Sequence, residues 1–319
     1  MAKVLYIAGY GRSGSTLLDI VLGNHPENVG VGELSFLLND WASGSRRCSC
    51  GVPYQECEFW NELFLDSPPT PELTQLVRKL EALSCIPRLL LGLVTNGDRQ
   101  IYREYQSRLF DYITNRRKQK LVVDSSKSAR GTAGRVLALS RLAEQDVYVV
   151  HLVRNGLATM ESLLITGRNW AIEGYIEPPK WLALRASLGW VFANVWASFV
   201  GQLLGPGRYI RLRYEDFVAD PATSTREIAQ LCGFDAERLV KRINDGDYFR
   251  VGHRVGGNRV RLQGAVKIER KHKLAYGDLL KLNQRLLFAL VGGWLHRHYG
   301  YGTLRPFTSQ SLREKRTSI

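Results

Sequence analysis

Between residues 9 and 16 the chain reads Gly9-Tyr10-Gly11-Arg12-Ser13-Gly14-Ser15-Thr16. Glycines let a backbone turn sharply and come close to an anion. Hydroxyls and the free N–H groups of a helix start can then donate to its oxygens, helped by the positive end of the helix dipole. Against the phosphate-loop pattern G-x-x-x-x-G-K-[ST], Gly9, Gly14 and Thr16 fit. Ser15 stands where the lysine belongs, so the group that grips a γ-phosphate is missing. Arg12 supplies a cation inside the loop instead. The composition points to a 5'-phosphate carrying one further group, not to a triphosphate.

Such a loop works only where a strand delivers it and a helix leaves it. Residues 3–9 read as a buried parallel strand, and Thr16 to Leu22 as an apolar helix. Lys120 to Asp124, Val147 to Val153 and Tyr209 to Arg213 are three further apolar strands. Helical patterns lie between them, at about 133–143 and 181–203, and again after Pro221. Strands alternating with helices predict an α/β fold with a parallel sheet, right-handed crossovers and helices on its faces. Residues 40–118 break the alternation. They hold a cysteine-rich turn, a Pro-rich run at 67–71 and helical patterns at 73–83 and 99–113. They are expected to form an insertion covering the substrate side. Residues 1–307 then make one domain, and the polar, basic stretch 308–319 a mobile tail.

The segment from Tyr6 to Leu18, with His25-Pro26 and Gly32-Glu33 behind it, resembles the 5'-phosphosulfate loop of the sulfotransferase superfamily. The likeness is greatest to its bacterial, carbohydrate and tyrosylprotein branch, with R-S-G-[ST]-[ST]-L-L at Arg12 to Leu18. It implies 3'-phosphoadenosine-5'-phosphosulfate (PAPS) as donor and PAP as product, with Arg12, Ser13, Gly14, Ser15 and Thr16 around the 5'-phosphate and the sulfo group. The family's second signature, a strand ending in Arg with a Ser eight residues on, is matched by Arg154 and Ser162. That pair is implied to grip the 3'-phosphate, which suits an arginine fork at a strand's carboxyl end. Tyr214-Glu215-Asp216-Phe217 resembles Y-E-D-[LF], which puts Tyr214 near the adenosine. Glu215 and Asp216 are expected to cap the helix beginning near Pro221. Gly257-Asn258 with Arg261 resembles the G-N-x-x-R segment of many bacterial members, which implies a basic, glycine-rich loop closing over the nucleotide, with Asn258 and Arg261 among its binding residues.

Sulfo transfer demands positioning and charge stabilisation more than covalent chemistry. The resemblance implies Glu33, the G-E glutamate, as the base that takes the acceptor's proton. Lys127, in the strand-end segment Val123 to Ser128, is the cation expected beside Arg12, although family members carry their lysine earlier in this segment. No metal is expected in the transfer. His25, His151 and His253 are weighed as bases and set behind Glu33.

The chain has 319 residues, 45% of them apolar, and a net charge of +14. That is enough to bury a core, and it suits an anionic ligand. The acceptor is expected to carry a hydroxyl, on a carbohydrate, a peptide tyrosine or a secondary metabolite, and residues 40–118 with the stretch 168–185 (Trp170, Tyr175, Pro178, Pro179, Trp181) are expected to line its site. A P-loop kinase or NTPase is the alternative, opposed by the absent lysine and by the lack of a convincing acidic pair after the apolar strands. A nucleic-acid-binding protein has only the charge in its favour. No secretory signal is read at the start, and the apolar stretch 186–201 reads as a buried core helix rather than a membrane span. A cytoplasmic enzyme is the expectation. Cys48, Cys50 and Cys57 could bind zinc, but no fourth ligand is assignable, so a disulfide or reduced packing thiols are favoured. Cys85 and Cys232 read as core residues.

Overall fold

A computed structural model describes residues 2–44, 46–117, 119–166, 181–269 and 277–302. Five parallel strands form the main sheet: β1 (Lys3–Ala8), β2 (Asn28–Gly32), β3 (Leu121–Asp124), β4 (Asp146–Val153) and β5 (Tyr209–Arg213). Their order across the sheet is β2-β3-β1-β4-β5. Lys3 is in register with Leu121 on one side and Asp146 on the other. Both faces are covered, which is why the strands read as continuous apolar runs rather than alternating ones. Side chains alternate between two cores. Val4, Tyr6, Val122 and Val149 face one core, and Leu5, Ile7, Val123 and Val150 the other.

The first of these cores is built largely by residues 40–118. Trp41, Trp60, Leu80, Tyr102 and Phe110 all pack into it. Helices Pro71–Glu81 and Asn96–Arg117 lie within two to four residues of the predicted bounds, and a short helix Ile86–Leu91 joins them. Thr70 caps the first, accepting from the Leu73 N–H at 3.2 Å, with Pro71 at its first position. The second core receives α1 (Ser15–Leu22) and the helices Pro221–Cys232 and Glu237–Asp245. An antiparallel hairpin, β6 (Tyr248–Arg250) and β7 (Ala265–Lys267), follows them.

The chain divides into two compact units, Met1–Arg154 with Phe192–Leu274, and Asn155–Val191 with Ala275–Ile319. Within the second, Phe288 of helix Leu282–His298 lies so close to Gly156 that a Cβ there would meet its ring at 1.9 Å. Trp190 packs edge-on against the same ring, with centroids 5.3 Å apart. The tail from 308 lies outside the described residues, as do Trp170, Tyr175, Pro178 and Pro179, expected near the acceptor.

Two local expectations are corrected. Helix Leu182–Leu203 is not buried all round: Ala186, Ala193, Ala197 and Val200 are buried, while Leu188, Val195 and Phe199 are exposed. Among the described residues no helix is long and apolar enough to cross a membrane. Glu215 and Asp216 do not cap the helix at Pro221. They sit in a short helix of their own, Tyr214–Ala219, and Asp220 is the cap, accepting from the Thr223 N–H at 3.1 Å.

Candidate active site

Five parallel strands bring five loops to one edge of the sheet, the edge where ligands bind in open α/β folds. The Gly9–Thr16 loop follows β1, Glu33 follows β2 and Lys127 comes three residues after β3. Arg154 follows β4 and Tyr214 follows β5. In sheet order the acid and the lysine lie on one side of the Gly9–Thr16 loop, and the arginine and tyrosine on the other.

The loop is shaped by close packing. A Cβ on Gly9 would meet the Leu152 carbonyl at 2.4 Å, and one on Gly14 would meet the Tyr214 ring at 2.3 Å. Both glycines have positive φ, 127° and 91°. Leu17 and Leu18 donate to the Gly14 carbonyl, so the amides of Ser15 and Thr16 open α1 with no intrahelical acceptor. The Ser13 hydroxyl is buried and has no hydrogen-bond partner among the described residues. Buried polar groups are rarely left so, and an anion's oxygen in the loop would satisfy it.

Arg154 donates to the Arg12 carbonyl at 2.8 Å, and its guanidinium lies 4.7 Å from the centroid of the Tyr214 ring. Loop, arginine and aromatic face therefore form one assembly. On the other side, the Lys127 ammonium pairs with the Glu33 carboxylate, both side chains largely buried. The lysine's own segment is stitched to the phosphate loop. Ser128 donates its N–H to the Gly9 carbonyl at 3.0 Å, and the Tyr6 hydroxyl donates to the Lys127 carbonyl. Arg12 and Lys127 both have positive φ, 70° and 67°. Non-glycine residues hold that strained conformation where the surroundings enforce it, and such positions cluster at functional sites.

A late segment closes the arrangement from outside. Val255 accepts from the Glu33 N–H at 2.7 Å and donates to Val31, extending the β2 edge. The Asn258 N–H donates to the Thr16 hydroxyl at 3.1 Å, so residues 255–258 run from Glu33 to the start of α1. Arg261 donates to the Arg47 carbonyl, and its Cδ lies close to Gly257. Ser162 is in the second unit, opening the π-helical turn Ser162–Thr166.

Several supporting residues escaped the sequence reading. Asp19 sits on the inner face of α1 and is fully buried. It accepts from Arg254 and the Ser125 hydroxyl at 2.8 and 2.7 Å, and from the Gly32 N–H at 3.0 Å. Burial raises its carboxyl pKa, and Arg254 together with the two hydrogen bonds opposes that rise. One carboxylate thereby ties the ends of β2 and β3 to the late segment, directly behind Glu33 and Lys127. An acid inside the apolar run Leu17 to Leu22 was the available signal. A second buried pair, Arg135 to Asp124 at 2.8 Å, holds the end of β3, with Glu81 as the arginine's other partner. Of the histidines weighed, His151 is a core residue between Tyr209 and Asn194, its pKa pushed down to about 4 mainly by burial. His25 is buried and accepts from the Glu27 N–H. His253 faces the cysteine turn.

A family model described as the sulfotransferase family matches residues 55–238. The chain is a member of the sulfotransferase family. The matched stretch of this sulfotransferase-family chain contains Lys127, Arg154, Ser162 and Tyr214. The Gly9–Thr16 loop, Glu33, Asn258 and Arg261 lie outside it, and their link to the candidate site is the geometry above. Among solved structures, the sulfotransferase domain of the Synechococcus PCC 7002 olefin synthase is similar with a TM-score of 0.50. It is 21% identical, and the match covers 91% of this chain and 94% of that one. A sulfotransferase from Mycobacterium tuberculosis H37Rv is 17% identical with a TM-score of 0.46, covering 76% of this chain and 70% of its own. At 21% identity the likeness to the first is one of fold. Comparison with curated proteins found no match.

Proposed function

We propose that this protein transfers a sulfo group from PAPS to an acceptor hydroxyl. The observation that carries the reading is Arg154, which donates into the phosphate loop at Arg12 and lies over the Tyr214 ring. A second phosphate-binding cation and an aromatic face beside one phosphate loop suit a nucleotide with phosphate at both ends of its ribose. The first loop has no lysine for a γ-phosphate, which weighs against a kinase.

Arg12, Ser13, Gly14, Ser15 and Thr16 would hold the 5'-phosphate and the sulfo group. Arg154 and Ser162 would hold the 3'-phosphate, with Tyr214 against the adenine and Asn258 and Arg261 closing over the loop. The acceptor oxygen attacks sulfur and forms an S–O bond as the bond from sulfur to the 5'-phosphate oxygen breaks. Glu33 takes the hydroxyl proton, and PAP leaves with the electron pair. Lys127 and Glu33 pair with each other. During transfer Lys127 turns to the sulfo oxygens, where charge develops, and Glu33 is left to act as base. The charge stabilisers are side chains and N–H groups, so the step needs no metal. The acceptor class is a hydroxyl-bearing carbohydrate, peptide or secondary metabolite. Residues 40–118 and the stretch around Trp181 are the segments expected to select it.

Calorimetry with PAP and with adenosine 5'-phosphate, which lacks the 3'-phosphate, tests the donor. Loss of a charge-assisted phosphate contact costs about 1.5–3 kcal/mol, so PAP should bind on the order of tenfold to a hundredfold more tightly. Equal affinities would remove the 3'-phosphate site and with it PAPS as donor.

A further inference from the structure

The cysteine turn lacked a fourth ligand in the sequence, and the fold supplies one from far along the chain. Cys48, Cys50, Cys57 and His253 bring three sulfurs and a ring nitrogen within 4.8 Å of one another. The Cys50 and Cys57 sulfurs are 3.7 Å apart. His253 Nδ1 lies 3.2 Å from the Cys57 sulfur and 3.9 Å from that of Cys48. Zinc holds thiolates at about 2.3 Å and imidazole at about 2.0–2.1 Å in a tetrahedron, which sets S···S edges near 3.8 Å and S···N edges near 3.6 Å. The three separations just given lie within about 0.4 Å of those edges.

The surroundings are also those of a metal centre. The other ring nitrogen of His253 sits 3.0 Å from the Glu58 carboxylate, the arrangement that fixes the tautomer and aims the first nitrogen at a metal. Phe59 stacks on the ring, with planes 9° apart, and fixes its tilt. The cysteine pair stands on a tight turn: Gly51 donates to the Cys48 carbonyl and Cys48 to that of Val52. Both cysteines of this turn therefore project from one short loop.

We propose that Cys48, Cys50, Cys57 and His253 form a structural zinc site. Four protein ligands leave no open position, so the ion does not take part in the transfer. Binding replaces the thiol protons with zinc, three thiolates and one neutral imidazole around a single ion. The purpose is positional. His253 is next to Arg254, which grips Asp19, and Val255, which holds Glu33. Ser49 on the cysteine turn donates its N–H to the Arg254 carbonyl and its hydroxyl to the Gly252 carbonyl. Zinc would lock that clasp, fastening the insertion to the segment that sets Glu33.

The test is metal content of untagged full-length protein, passed through EDTA-containing buffer so that only tightly held metal remains. About one zinc per chain is expected by elemental analysis, released when a mercurial blocks the thiols. Cobalt(II) in its place should show the intense visible bands of a tetrahedral thiolate site. Cys50 is exposed, so Cys50→Ser should fold and hold zinc far more weakly. Glu58→Gln should weaken zinc binding on the order of 10–100-fold without touching a ligand. A metal-free protein with five titratable thiols would overturn the proposal, and so would a Cys50–Cys57 disulfide found by peptide mapping. These readings hold whatever the donor nucleotide proves to be.

Discussion

Glu33 and Lys127 are separated by 94 residues and meet as an ion pair. A base that acts only on the acceptor's proton contributes mainly in the transition state. Glu33→Gln keeps the shape and cannot take that proton. Turnover should fall on the order of 10²–10⁴-fold, with PAP affinity within a few fold of the parent. Arg12→Ala should lower both, because the contact proposed for its cation is with the donor throughout. Steady-state rates and PAP calorimetry on the two variants separate the roles. Near-normal turnover in Glu33→Gln would end its assignment as base, while a large loss of PAP affinity would make it a support of the loop.

At the scale of elements, the phosphate loop owes its shape to its neighbours as much as to its own glycines. Gly14 has φ 91° and faces the Tyr214 ring, which belongs to the helix leaving β5. Gly14→Ala strains the backbone by about 1–3 kcal/mol and drives a methyl into that ring. Either the loop or Tyr214 must move, and Arg154 rests on both. PAP affinity should drop at least about tenfold, a loss of ~1.4 kcal/mol in binding, while far-ultraviolet circular dichroism stays that of the parent. Unchanged affinity would show that the contact between β1 and β5 loops does not shape the nucleotide site.

Across the whole molecule, 44 Lys and Arg against 30 Asp and Glu leave a charge of +14. Buried Arg254 is balanced by Asp19, and buried Arg135 faces both Asp124 and Glu81, so the positive excess lies outside these clusters. A positive field speeds the approach of a multiply charged anion and is screened by salt. The association rate of PAP, followed by stopped flow, should fall several-fold as salt rises from about 0.02 to 0.3 M, where the screening length shortens from roughly 20 Å to 6 Å. A flat dependence would leave the charge without a role in donor capture.

The residues by themselves carried the glycine-and-hydroxyl loop after the first strand, the parallel alternation of strand and helix and the family resemblance. Those signals are short in range. A glycine pattern, a run of buried β-branched residues or a proline after a cap is read from neighbours. They placed Arg154 and Tyr214 at strand ends without saying that one lies over the other. The tertiary structure alone decided which distant groups meet. Arg254 reaches Asp19 across 235 residues, and His253 reaches Cys57 across 196. No local pattern marks such a partner, because its identity is set by how two elements pack and not by the chain between them. The same physics explains the helix at 182–203. Its apolar run promised burial on every side, but composition does not say how many neighbours a helix will find, and the fold left one face of it to solvent.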